Sequence, residues 1–154
     1  MSKHIKICSF FGHRKIEVTD ELVIKLKKVI LSLITRNKVN TFYFGGYSDF
    51  DELCHTLVDE FKKEFPYLKE IYVRPYYENL QQNIVDLYKR EFDDCIYLKP
   101  KNNFGKFLIV YRNYAMVDKS EYIIFYVKKD KSGGALNTFK YAKNKNKNII
   151  NIAE

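Results

Sequence analysis

Apolar positions along this chain alternate between the short continuous runs of buried strands and the three-to-four spacing of helices. Ile5-Lys-Ile-Cys-Ser-Phe10 reads as a first buried strand. Thr19-Asp-Glu can cap a helix and puts acid in its first turn, and Leu22, Leu26, Val29, Ile30 and Leu33 then recur at helical spacing. Val39 to Phe44 is a second strand. Asp49-Phe-Asp-Glu52 has the form of a capping box, with Asp49 receiving the N3 amide and Glu52 reaching back. Leu53, Leu57, Val58 and Phe61 give that helix its apolar face, and Pro66 ends it. Lys69 to Arg74 is a third strand stopped by Pro75, followed by a helix over Leu80, Ile84, Leu87 and Tyr88. Asp94 to Leu98 is a fourth strand, Lys99 to Gly105 a polar loop, and Phe107 to Met116 helical again. Tyr122 to Val127 is the most apolar strand and is expected at the centre of a sheet. A helix over Gly134 to Lys143 and a strand over Ile149 to Ile152 close the pattern.

Such alternation predicts an α/β fold: a Rossmann-like doubly wound, mostly parallel sheet with helices on both faces. Ligands of such sheets bind beyond the carboxyl ends of the strands, where the strand order reverses. No repeat or linker interrupts the pattern, and 154 residues make one domain, residues 1–154.

Composition narrows the function classes. At 46% hydrophobic and 16% aromatic residues the chain is globular rather than disordered. Its longest apolar run, Tyr122 to Val127, is too short to span a bilayer. Met1-Ser-Lys-His-Ile-Lys-Ile has no signal-peptide apolar region, so the expected compartment is the cytoplasm, with no membrane partner. Cys8, Cys54 and Cys95 lie far apart with no CxxC or Cys/His grouping, which argues against a disulfide framework and a zinc site. Cys8 and Cys95 sit in apolar strand contexts and read as buried, inert thiols. No cofactor or metal is expected.

A net charge of +8 invites a nucleic-acid partner. Many of the lysines, however, fall on outer helix faces (Lys25, Lys27, Lys28, Lys62, Lys63) or near the end of the chain (Lys140, Lys143, Lys145, Lys147). Solvated helix faces or a phosphate-bearing small ligand account for them equally well.

The candidate chemistry lies in three glycine turns. Phe42-Tyr-Phe44 breaks at Gly45-Gly46, and a helical pattern starts almost at once. Glycines let backbone N–H groups approach an anion, and a helix start supplies unpaired donors and a positive dipole end. The same arrangement follows the first strand at Phe11-Gly12-His13-Arg14 and a later one at Ser132-Gly133-Gly134-Ala135. Alone, Gly12-His13-Arg14 is either a surface turn or a phosphate clamp, with Arg14 offering a fork of donors and His13 one more. Three such turns at strand carboxyl ends favour the clamp.

Near the second turn, capping explains Asp49 and Glu52 but not Asp51. An acid there can accept ribose hydroxyls or stabilise a sugar cation, or it can simply favour the helix dipole. Arg112-Asn113 ends an otherwise apolar helical pattern; a helical arginine is ordinarily solvated or ion-paired. Thr138 lies one turn beyond Ser132-Gly133-Gly134, whose plain alternative is a flexible loop. Missing are a G-x-G-x-x-G with its paired acid, a Walker A lysine motif, HExxH and any Ser/His/Asp set.

In order, Cys8-Ser-Phe-Phe-Gly-His-Arg14, Phe44-Gly-Gly-Tyr-Ser-Asp-Phe-Asp51, Arg112-Asn-Tyr-Ala-Met-Val-Asp118, Gly133-Gly-Ala, Thr138 and Tyr141-Ala-Lys143 resemble the SLOG superfamily. That Rossmann-like group unites Smf/DprA with the Lonely Guy (LOG) proteins, and the chain is most similar to its YpsA-like branch. The resemblance covers nearly the whole chain and implies binding of nucleotides or nucleotide-derived ligands at the glycine turns, including Tyr47 beside the second. LOG enzymes cleave the base from a nucleoside monophosphate with an arginine and the glutamate of a PGGxGTxxE motif. Arg112 matches the arginine's setting, and Gly133, Gly134 and Thr138 resemble the motif with a spacing one residue longer. Ser132 stands where the motif has proline, and Lys140 and Tyr141 occupy the region of the glutamate. Asp51, with Glu52 beside it, is the acid left near the site.

The expected function is therefore a module that binds a nucleotide or ADP-ribose-like ligand, as sensor or sequestering protein. An N-glycoside-cleaving enzyme, of nucleotide phosphoribohydrolase or deoxyribosyltransferase type, is the alternative, with Asp51, Glu52 and Arg112 as catalytic candidates. DNA binding of the DprA type comes third, since nothing on one face resembles an aromatic stacking platform. A homodimer is implied by the resemblance alone.

Overall fold

The structure, a computed structural model, describes residues 4–46, 48–75, 91–99 and 107–154. Along the chain run β1 (Ile7–Gly12), α1 (Asp20–Thr35), β2 (Thr41–Phe44), α2 (Asp49–Glu64), β3 (Lys69–Arg74), β4 (Asp94–Tyr97), α3 (Leu108–Lys119), β5 (Tyr122–Tyr126), α4 (Gly134–Asn144) and β6 (Asn148–Asn151). The helix expected over Leu80, Ile84, Leu87 and Tyr88, the loop beyond Lys99 and Tyr47 lie outside the described residues.

The described strands form one six-stranded sheet in the order β4-β3-β2-β1-β5-β6, with every neighbouring pair parallel. This is a Rossmann-like, doubly wound α/β fold. The chain walks outward from β1 to β4, then returns to the other side of β1 for β5 and β6, so the order reverses between β1 and β5. β5 is interior, as its apolar character requires, but the middle of the sheet belongs to β1 and β2.

Alternation along β1 divides the core. Cys8 and Phe10 point to the face covered by α1 and α2, where they meet Leu26, Ile30, Phe50 and Leu57. Ile7 and Phe11 point to the opposite face, with Met116 and Val117 of α3 and Ala142 of α4. Phe10 stacks on Phe44 with ring centres 5.1 Å apart. Each such buried aromatic or aliphatic side chain contributes about 1.5–3 kcal/mol relative to exposure, and the clusters clamp β1 and β2 at the middle of the sheet. Cys8 and Cys54 are buried, whereas Cys95 on the edge strand β4 is only half-buried.

Helix caps fix where the loops leave the sheet. Thr19 caps α1 as expected, its Oγ1 accepting from the Leu22 N–H at 3.1 Å. At α2 the cap lies one residue earlier than the Asp49 box. Ser48 holds the extended φ −89°, ψ 156° that a cap needs, and its Oγ accepts from the Asp51 N–H at 2.9 Å. Asp49 instead stitches the helix start to the turn after β1. Its N–H donates to the Arg14 carbonyl at 2.8 Å, and its Oδ2 accepts from the Ile16 N–H at 3.2 Å. No described helix is long and apolar enough to cross a membrane.

Candidate functional site

Beyond the carboxyl ends of β1, β2 and β5 lies a cavity of about 570 Å³. It brings together Gly12, His13 and Arg14 of the first turn, Gly45 and Gly46 of the second, and Ser132, Gly133 and Gly134 of the third. Asp51, Arg112 and Asn113 complete its polar lining. Glu52 is exposed and lines a neighbouring cavity, and Thr138 lies buried behind the wall.

Sheet register explains the convergence. Gly12 pairs with Tyr126, so the turns after β1 and β5 leave side by side. The His13 N–H donates to the Tyr126 carbonyl at 3.3 Å, and the Lys128 N–H donates to His13 Nε2 at 2.9 Å. Accepting at Nε2 leaves the proton of a neutral ring on Nδ1. Burial, then the charges of Lys131 and Lys128, hold the imidazole below its ordinary value, against a smaller upward pull from Asp130. His13 thus ties the first turn to the third.

The glycines answer to different physical demands. A Cβ on Gly12 would lie 2.4 Å from Phe50 Cβ, so that glycine lets α2 pack against β1. A Cβ on Gly45 would lie 2.8 Å from Met116 Sδ and 3.0 Å from Arg112 Cζ, and one on Gly46 would lie 3.0 Å from Asp51 Oδ2. The diglycine therefore admits the arginine on one side and the carboxylate on the other. Gly133 adopts φ 139°, ψ −173°, a conformation essentially confined to glycine. Gly134 has open space where its side chain would be.

Arg112 is only 6% exposed. Its Nη1 donates to the Val73 carbonyl at 3.1 Å, and its Nε donates to Asn113 Oδ1 at 2.9 Å. Asn113 Nδ2 donates to Thr138 Oγ1 at 3.4 Å, which donates to the Gly134 carbonyl at 2.8 Å. Thr138 thus links the arginine to the first turn of α4 without lining the cavity.

Asp51 is 8% exposed, and its Oδ1 is buried with no hydrogen-bond partner among the described residues. Burial pushes its carboxyl up to about 6, while hydrogen bonds from Ser48 and the Arg112 charge pull it down. Asp51 is thus a buried acid with an unused oxygen at a cavity wall.

A second cavity of about 670 Å³ shares Gly46, Ser48, Asp51 and Tyr72 with the first. Its wall includes Phe44, His55 and Phe92, with the His55 ring stacked on Phe92 at 4.6 Å. His55 Nδ1 lies 2.8 Å from Oε1 of the fully buried Glu70. Sequence reasoning passed over this group. Its one legible signal is His55 and Asp59 four apart on α2, which the structure brings to 3.7 Å.

No protein-family model matches the chain. No curated protein matches it either. Among solved structures it is similar to the Moco Carrier Protein of Chlamydomonas rheinhardtii, at 12% identity and a TM-score of 0.54. The match covers 98% of this chain and 77% of that one. That likeness is one of fold.

Proposed function

We propose that this protein binds a nucleotide or nucleotide-derived ligand in the cavity beyond β1, β2 and β5, as a sensor or sequestering module. The observation that carries the reading is the meeting of three glycine turns on one cavity where the strand order reverses. Among the described residues no side chain caps α4, so the N–H groups after Gly133 suit a phosphate. The exposed Arg14 adds a charged fork from the neighbouring first turn. Asp51, between them and the second cavity, suits a sugar hydroxyl. Binding needs these donors and acceptors but no acid–base pair.

Mass spectrometry of small molecules released from the purified protein, followed by calorimetry with the nucleotide found, tests this reading. Arg14→Ala is expected to remove a charge-assisted contact of about 1.5–3 kcal/mol, roughly tenfold to a hundredfold in affinity. Absence of any nucleotide binding at millimolar concentrations would end the proposal.

One observation favours a second reading, cleavage of an N-glycosidic bond: the raised carboxyl of Asp51 with its unpartnered Oδ1. An acid poised near neutrality can protonate a departing base, and its carboxylate can stabilise the sugar cation left behind. Free base should then appear on chromatography and vanish in Asp51→Asn. Slow release surviving both Asp51→Asn and Glu52→Gln counts against it.

A further inference from the structure

Glu70 is an unusual residue for an inner strand. It lies on β3 between β2 and β4, wholly buried, yet it carries a carboxylate. Oε1 meets His55 Nδ1 at 2.8 Å, but Oε2 has no hydrogen-bond partner among the described residues. The cation nearest Oε2, Lys62 Nζ, stands 3.8 Å away, beyond hydrogen-bond reach, and is turned to Asp93 Oδ2 at 2.7 Å. A buried oxygen left in this state costs free energy unless something compensates it.

We infer that His55, Asp59 and Glu70 form a binding site for a first-row divalent cation of the Zn²⁺ type. One ligand atom from each residue can be chosen so that all three lie within 4.8 Å of one another. Bonds of about 2.0–2.2 Å to a common ion put ligand atoms roughly 3–4 Å apart; His55 Nε2 already lies 3.7 Å from Asp59 Oδ2 and Nδ1 lies 2.8 Å from Glu70 Oε1, so the set needs a modest adjustment. Asp59 can supply that movement, because its side chain is 52% exposed while those of His55 and Glu70 are held. The His55 ring is fixed between Phe92, stacked at 4.6 Å, and Phe44, edge-on at 5.4 Å.

One imidazole nitrogen with two carboxylate oxygens selects Zn²⁺ or a close first-row neighbour over Ca²⁺ and Mg²⁺, which prefer oxygen alone. Three protein ligands leave a coordination position open, and the 670 Å³ cavity that His55 and Asp59 line provides room for it. The other charged groups around the cavity are Lys62, Glu91 and Asp93, with Asp51 and Glu52 farther along its wall. This inference does not rest on the nucleotide reading.

Calorimetric titration of metal-free protein with Zn²⁺ alone tests the site, with the bound metal counted after dialysis. The wild-type chain is expected to take up about one Zn²⁺ in a site of this ligand type. His55→Ala and Asp59→Asn should each weaken binding at least tenfold to a hundredfold, the range seen when even a residue supporting a metal ligand is removed. Asp59→Asn changes an exposed side chain and should melt like the wild type, so its loss of Zn²⁺ cannot come from unfolding. Cys95→Ser should bind as the wild type does, separating the site from the half-buried thiol. Failure of the wild-type chain to take up Zn²⁺, or unchanged affinity in either His55→Ala or Asp59→Asn, would overturn the inference.

Discussion

The two cavities that meet at Asp51 share Gly46, Ser48 and Tyr72 as well, but the rest of their walls differ. In the first, five glycines of three turns contribute backbone to the lining, beside the side chains of Arg14, Asp51, Arg112 and Asn113. In the second, side chains make the wall. His55 and Asp59 of one helix line it, Phe44 and Phe92 hold the imidazole, and Glu70 lies buried behind them on β3. A backbone wall is set by topology and presents N–H groups that suit anions. A side-chain wall depends on the identity of each residue, and this one suits a cation.

Substitutions can break that contrast, beginning with the most damaging. Gly12→Val should destabilise the protein by upwards of about 3 kcal/mol, because its Cβ would lie 2.4 Å from Phe50 Cβ in a filled core. Calorimetry reads this at roughly 2–4 °C in Tm per kcal/mol for a chain of this size. A variant melting with the wild type would mean that α2 does not need the glycine.

Asp51→Asn should act in the opposite direction. Its carboxyl is raised from 3.8 to about 6, so the folded state disfavours the charged form. The acid's favourable contribution is complete below its unfolded value and is lost as pH rises through its folded one. Wild-type stability should therefore fall between pH 4 and 6 by up to about 3 kcal/mol. Asp51→Asn should flatten that fall and be the more stable protein at pH 7. Urea melts across this window measure both, and parallel curves for the two proteins would show that the acid is solvated.

A smaller effect is expected at Gly45→Ala. The atoms nearest the new methyl belong to the side chains of Met116, at 2.8 Å, and Arg112, at 3.0 Å, and displacing them should cost about 1 kcal/mol. Loss of nucleotide affinity should exceed that cost, since Arg112 borders the cavity. The smallest change in stability belongs to Gly134→Val, within about 0.5 kcal/mol, because nothing lies near its Cβ. Yet it should block a phosphate at the start of α4. Unaltered nucleotide binding in Gly134→Val would remove the third turn from the site.

The reversal beside β1 is set by strand pairing between distant segments. The periods of the apolar pattern carry the order of strands and helices along the chain, because buried faces must match the geometry of the element that presents them. Gly45-Gly46 and Gly133-Gly134 mark their turns for the same reason. Finer features escape a linear reading. Ser48 and Asp49 can both cap a helix, and only the backbone angles choose between them. Thr138 lies in a recognisable motif but turns its hydroxyl to the Gly134 carbonyl. His13 looks like an anion donor until its Nε2 is found accepting from Lys128. Glu70 joins His55 only through the packing of α2 on β3, which local spacing does not encode.

The place of β1 has a consequence for the order in which the molecule assembles. That strand precedes the other described strands in the chain, yet one of its two neighbours is β5, which follows β2, β3 and β4. Until β5 docks, β1 keeps a bare hydrogen-bonding edge flanked by Phe10 and Phe11, the kind of edge that recruits other chains. Pairings between such distant segments also form slowly. A ligand that touches both the β1 and β5 turns would meet only the finished sheet, and by holding them together would favour the folded chain over its unfinished forms. A chain halted before Tyr122 would have the open edge and no site.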